Sequence, residues 1–299
     1  MQDCKNHSGA FDRIFSALIT PMSEDESLNE QALRQLVRLQ LTEGGEGFYC
    51  CGSSGEGLLL SLDERKRVLE IVLDEAAGKV PVISHIGTIR TRDVVELAKH
   101  AEGAGAAAVS MIPPYYYKFT ADEIRAYYEE VIASVPQLGV IIYNIPQFTG
   151  VEFSKSNAHE LLSNPGIIGI KHTSNNLYSM ERMHTEYPDK VIFNGFDEQF
   201  LGALSRGASA TIGTMVNLFA PQFCKLRDRF YSGDLTGAYA LQTQINYRVE
   251  VMCRYGVFNA VKYMESLRGI DCGRCRAPFG ELSEDAKKAL RELEQTPFV

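Results

Sequence analysis

The sequence predicts an α/β chain in which eight parallel strands close into a barrel and a helical extension follows. Three observations predict it. Short apolar runs of strand length alternate with longer amphipathic runs, eight times over. The run Ile167-Ile168-Gly169-Ile170 is apolar on both faces, as a strand buried on both sides requires. After Gly233 no strand signal remains, and 235–254, 257–267 and 284–294 read as helices. Eight regular strand-then-helix units are the pattern of a (β/α)8 TIM barrel. A doubly wound open sheet rarely needs so many. Residues 1–233 are expected to form the barrel with a short leader, and 234–299 an extension of the same domain.

In chain order, residues 1–12 read as a loose leader. Residues 15–22 are the first strand and 29–42 the first helix. The second strand, 47–52, is followed by a helix over 61–77, where Ser61 and Glu64 stand at capping-box spacing. Residues 80–86 and 91–104 form the third pair. The fourth strand is 106–112, and its helix, 120–135, opens on a second capping-box pair, Thr120 and Glu123. Strand five, 139–145, precedes a shorter helix near 154–162. Strand six, 167–173, precedes a helix near 178–187. Strand seven, 191–196, and strand eight, 209–213, precede helices near 198–205 and 218–231.

Composition narrows the function. A chain of 299 residues that is 45% hydrophobic can bury a sizeable core. Its net charge of −8 is spread without a basic run, which disfavours nucleic acid as a partner. No apolar stretch approaches membrane-spanning length. Residues 1–9 are polar and lack a signal-peptide core. Cysteines number seven, and Cys50 and Cys51 are adjacent within a strand. That pattern suits a reducing cytoplasm better than a disulfide framework. Cys272 and Cys275 form a lone Cys-x-x-Cys pair, and the histidines show no ligand spacing, so a metal is not expected.

The chemistry centres on Lys171. In such barrels the reacting groups lie at the carboxyl ends of strands, and Lys171 stands where the apolar run gives way to Thr173, Ser174, Asn175 and Asn176. Alternation puts Ile167, Gly169 and Lys171 on one face and Ile168, Ile170 and His172 on the other. Burial disfavours a charged amine, and a neutral amine attacks carbonyls, so the position suits a Schiff-base nucleophile. The plainer reading has Lys171 cap the strand and reach water. His172 should face the helices as a satisfied core histidine. The loop Gly52-Ser53-Ser54-Gly55-Glu56-Gly57 offers backbone amides and two hydroxyls to an anion, best a carboxylate. It is equally readable as a Gly-rich turn. Tyr143 ends strand five on the face of Ile141 and can relay protons to a carbinolamine if that face is the lumen. Asp197 and Glu198 either bind a polyol or start a helix. Gly103 to Ala108 mimics a dinucleotide fingerprint but precedes a strand, so it is discounted.

Gly-Ser-Ser-Gly-Glu after strand two, Tyr-Asn-Ile-Pro after strand five and Gly-Ile-Lys after strand six resemble the pyruvate-dependent class I lyases of the dihydrodipicolinate synthase and N-acetylneuraminate lyase superfamily. The resemblance runs from about Phe15 to the end of the chain. It implies that Lys171 forms the Schiff base with pyruvate, that Tyr143 relays protons, and that Ser53 and Ser54 hold the pyruvate carboxylate. Tyr116 matches an additional tyrosine near the relay. Within the superfamily, Asn194-Gly195-Phe196-Asp197-Glu198 resembles the N-acetylneuraminate lyase branch, which assigns Gly195, Asp197 and Glu198 to the sugar-derived chain. Thr173 matches the threonine of Lys-x-Thr, and Thr214 stands where that branch has a serine. Ser54 replaces a threonine and Phe196 a tyrosine. Phe148 stands where the synthases carry an arginine for a dicarboxylic product. The implied activity is reversible cleavage of N-acetylneuraminate to pyruvate and N-acetylmannosamine by a cytoplasmic homotetramer. No cofactor is implied, because a protonated imine is itself the electrophile. A related aldolase or synthase with another substrate, and a non-catalytic keto-acid-binding barrel, are the alternatives.

Overall fold

The computed structural model describes residue 9 and residues 11–299, so most of the leader lies outside it. The strands are β1 (Ile14–Ala17), β2 (Phe48–Cys50), β3 (Val82–His85), β4 (Ala108–Met111), β5 (Val140–Asn144), β6 (Ile167–His172), β7 (Val191–Asn194) and β8 (Ala210–Gly213). They pair in chain order, all parallel, and β8 returns to β1 to close the barrel. The predicted (β/α)8 TIM barrel with its helical extension is the fold. The strands are shorter than the apolar runs that announce them. The strand within the run 15–22 ends at Ala17, although the Leu18 amide still donates to the Tyr49 carbonyl, and Leu18, Ile19 and Met22 remain buried.

The helices around the barrel are α1 (Glu30–Thr42), α2 (Leu62–Ala76), α3 (Thr91–Ala104), α4 (Ala121–Ser134), α5 (Pro146–Thr149), α6 (His159–Leu162), α7 (Leu177–Glu186), α8 (Phe200–Leu204) and α9 (Val216–Ser232). Both predicted capping boxes form. Ser61 Oγ accepts from the Glu64 amide while the Glu64 carboxylate accepts from the Ser61 amide, and Thr120 and Glu123 repeat the exchange. Of the helix expected near 154–162 only its last turn forms, α6, and a separate turn, α5, precedes it directly after β5. Between them Asn144 takes the backbone of Phe153 by both its groups, at 3.0 and 3.3 Å. Ser154 then donates its amide to Asn157 Oδ1, and this local bond competes with helix formation.

Alternation along each strand divides the interior in two. Phe48, Val82, Ile142 and Ile192 face the helices, whereas Phe15, Tyr49, Ile141, Tyr143 and Phe193 fill the lumen. One expectation fails here. Val140 pairs with Ile167 but Ile141 pairs with Gly169, so Ile168 is an extra residue in β6. This bulge turns Ile167 toward the helices and Ile168 into the lumen, opposite to the expected faces. Beyond it Lys171 keeps its lumen position. Gly169 is required at the bulge, since a Cβ there would lie 2.4 Å from the Val191 carbonyl oxygen.

The extension comprises α10 (Leu235–Arg254), α11 (Val257–Leu267) and α12 (Glu284–Glu294). It is tied to the barrel at several points. Arg268 pairs with Glu43 at the end of α1. The carbonyl of Cys272 accepts from the Met22 amide at 3.0 Å. Cys272 and Cys275 are both buried free thiols.

Candidate active site

Parallel pairing of β5 with β6 sets Tyr143 beside Lys171. The lysine is 3% exposed. Its Nζ lies 4.0 Å from the centre of the Tyr143 ring and 4.3 Å from that of Tyr49. The two rings meet edge to face at 6.2 Å. The amine is thus held inside the barrel between two aromatic faces, and the reading in which it caps the strand and reaches water is overturned.

Tyr49 was not singled out in the sequence. It donates its hydroxyl to Ser110 Oγ at 3.1 Å, and burial pushes its phenol well above the usual value. His85 also went unnoticed. It lies edge-on to Tyr143 at 5.8 Å, with Nδ1 3.1 Å from the Cys51 carbonyl oxygen. Burial, with the Arg65 and Lys171 charges nearby, pushes the His85 imidazole well below 6.5 and keeps it neutral. Arg65, from α2, donates to the carbonyls of His85 and Gly87 at 2.6 and 3.1 Å. The available signal was a polar residue on the lumen parity of an apolar strand. Strands of three and four residues give too little alternation to read it.

The glycine loop closes by the Gly57 amide donating to Gly52 and the Glu56 amide donating to Ser53. Two of its glycines are forced by close approach. A Cβ on Gly55 would lie 2.7 Å from the Leu18 carbonyl oxygen, and one on Gly57 1.8 Å from that of Cys51. Ser54 is buried, and its Oγ lies 2.7 Å from Thr214 Oγ1. Ser53 is half-buried beside it. Two sequence-predicted hydroxyls, from the segments after β2 and β8, therefore meet at one point of the mouth.

Across the mouth, Thr173 and Gly195 touch. A Cβ on Gly195 would lie 1.8 Å from Thr173 Oγ1, a buried hydroxyl without a hydrogen-bond partner in the protein. Asp197 is buried and accepts the Met215 amide on one oxygen at 2.9 Å. Its other oxygen is buried against the Gly213–Thr214 backbone without a well-formed hydrogen bond. Burial raises the Asp197 carboxyl to about 7, against the pull of the Met215 amide. Asp197 and Glu198 do begin a 3-10 turn, Asp197–Gln199, ahead of α8. The Asp197 carboxylate nevertheless reaches the segment after β8 and does not cap its own turn. Glu198 is half-buried.

Tyr116 and His172 lie apart from this cluster. Tyr116 is 85% exposed, has a left-handed φ of 75°, and sets its ring edge-on to Tyr117 at 5.1 Å. The structure does not bring it to Lys171. His172 faces the helices, as its strand parity requires. Asn144 Nδ2 lies 3.1 Å from its Nδ1, and its Nε2 lies 3.1 Å from the Asn176 carbonyl. Burial lowers it to about 4.

Comparison with known proteins points the same way. The model of the Dihydrodipicolinate synthetase family matches residues 10–296. An N-acetylneuraminate lyase of Rhizobium meliloti (strain 1021) is 42% identical over 279 residues, which is 93% of each chain. Among solved structures, CdNal from Clostridium difficile in complex with mannosamine superposes with a TM-score of 0.92 at 34% identity, covering 95% of this chain and 98% of that one. N-acetylneuraminate lyase from Fusobacterium nucleatum complexed with pyruvate gives a TM-score of 0.92 at 35% identity, covering 96% and 97%.

Proposed function

The chain belongs to the dihydrodipicolinate synthetase family, and from that premise we propose that it is an N-acetylneuraminate lyase. It is read as a class I lyase that reversibly cleaves N-acetylneuraminate to pyruvate and N-acetylmannosamine. The relatives named for this activity, and the two structural neighbours in complex with mannosamine and with pyruvate, support the reading. Phe148, two-thirds exposed where the synthases carry an arginine, favours it over a synthase.

In the proposed mechanism Lys171 Nζ attacks the C2 ketone. The carbinolamine loses water to give a protonated imine. Tyr143 relays the protons of that exchange. The substrate carboxylate rests on the hydroxyls of Ser53 and Ser54, with Thr214 behind Ser54. The polyol extends toward Thr173, Gly195, Asp197 and Glu198. Tyr143, or the substrate carboxylate it touches, takes the C4 hydroxyl proton; the C3–C4 bond breaks and its electron pair enters the protonated imine to form an enamine. N-acetylmannosamine departs as the aldehyde. Protonation of the enamine and hydrolysis release pyruvate and restore the amine. The imine is the electron sink throughout. Tyr116 is exposed in this single chain, and its place near the relay rests on the resemblance alone.

The observation that carries the reading is Lys171, buried at the carboxyl end of β6 between two tyrosine rings. Borohydride with pyruvate should add a reduced pyruvyl group to Lys171, read by mass spectrometry. A modified peptide without Lys171 would sink the mechanism. No helix among the described residues is long and apolar enough to cross a membrane. A cytoplasmic homotetramer acting on small molecules completes the proposal, and light scattering tests the assembly.

A further inference from the structure

We infer that the C-terminal extension positions both substrate loops of the barrel, through Lys262 for the carboxylate loop and through Gln242 for the polyol loop. The inference takes its naming of the two loops from the lyase reading.

Gln242 is a buried side chain of α10. Its Nε2 donates to the Asp197 carbonyl at 3.0 Å, and its Oε1 accepts the Leu201 amide at 2.8 Å. One carboxamide thus spans the 3-10 turn that carries Asp197 and Glu198 and the first turn of α8. Neither element has a side-chain cap of its own, since Phe196 and Gln199 supply none. Helix starts leave amides without internal partners. Here one of them is satisfied from a different helix. The orientation of the turn is therefore referred to α10 and not to its own local sequence.

Lys262 does the same for the glycine loop. Its Nζ lies 2.5 Å from Glu56 Oε1, and neither side chain has any exposure. The same Nζ donates to the Arg274 carbonyl at 3.0 Å, while Glu56 Oε2 accepts the Arg276 amide at 2.7 Å. Glu56 has a left-handed φ of 54°, and its amide closes the turn onto Ser53. A buried ion pair adds little net stability over apolar residues of the same volume. It does hold one arrangement. This pair joins the loop bearing Ser53 and Ser54 to α11 and to the segment after it.

The two supports serve different parts of one substrate, so they should fail differently. Gln242→Leu should lower kcat/KM for N-acetylneuraminate cleavage by roughly 10–100-fold, the loss expected when a reacting group is misplaced by about 1 Å. The pyruvate concentration that half-saturates borohydride trapping should stay within about twofold, since pyruvate has no polyol. Lys262→Met alone leaves the Glu56 charge buried without its counter-ion, a strongly destabilising change, so the test uses Lys262→Met with Glu56→Gln, which removes both charges. That variant should raise half-saturating pyruvate roughly tenfold and impair cleavage as well. Thermal denaturation is measured alongside. Variants that lose stability but keep both kinetic readouts overturn the inference, as does a Gln242→Leu variant that impairs pyruvate trapping along with cleavage, or a double variant that leaves pyruvate trapping unchanged. A wild-type chain that traps pyruvate but does not cleave N-acetylneuraminate overturns the lyase reading and the Gln242 arm with it. The Lys262 arm is then still decided by pyruvate alone.

Discussion

Lys171 Nζ lies over the face of Tyr143, 4.0 Å from the ring centre, on the neighbouring strand of a closed barrel. The contact follows from register. β5 and β6 pair Tyr143 with Lys171 and Asn144 with His172, so one step along the strands separates the proposed reactive pair from a buried structural one.

Tyr143→Phe isolates the hydroxyl of the first pair. The ring stays, and with it the packing against Tyr49 and His85. General acid–base catalysis is typically worth about 10²–10⁴-fold, so kcat should fall by about that amount while thermal stability holds. Near-normal turnover in the Phe variant would remove Tyr143 from the relay.

Asp197→Asn and Glu198→Gln test the polyol side. Hydrogen bonds to charged groups are worth about 1.5–3 kcal/mol. Each variant should therefore lose roughly 10–100-fold in N-acetylneuraminate cleavage, at 1.4 kcal/mol per tenfold. Trapping of pyruvate should be nearly unchanged. Were the acids only helix starters, stability, trapping and cleavage would decline together.

His172 makes a prediction about pH. Its imidazole is lowered to about 4 from 6.5, chiefly by burial. Between these values the unfolded chain binds a proton that the folded chain does not, so stability rises with pH across that window. The contribution is complete above about 6.5 and is lost as pH falls toward 4, amounting to about 3 kcal/mol. Urea unfolding from pH 4 to 7 should show a steeper slope for the wild type than for His172→Gln. Equal slopes would mean that His172 is not held neutral.

Gly169→Ala tests the bulge. The added methyl would sit 2.4 Å from the Val191 carbonyl oxygen, which is backbone and cannot swing away. Overpacking of this kind destabilises by typically 1–3 kcal/mol, so the melting temperature should drop. Borohydride trapping at Lys171, two residues on, should weaken too. A variant with unchanged stability and trapping would show that β6 tolerates a regular register.

Local signals in the sequence determined what local physics decides. The capping boxes at Ser61 and Thr120, the bounds of α3, α10, α11 and α12, and the order of strands and helices all rest on interactions within a few residues. Lys171 was legible because it ends an apolar run. Ser53, Ser54, Tyr143 and Asp197 were legible because such barrels place chemistry where strands end. The tertiary structure alone decided which of these groups meet. Ser54 and Thr214 touch across 160 residues of chain, and the Asp197 carboxylate reaches Met215. The bulge at Ile168 reverses the faces before it, and no alternation pattern in β6 announces an inserted residue. Tyr49 and His85 became neighbours of Tyr143 only when the barrel closed. Gln242 and Lys262 read as ordinary helix residues until α10 and α11 packed against the mouth. Periodicity records the face a residue presents to its own element; register and closure, which settle its partners, depend on strands far apart in the chain.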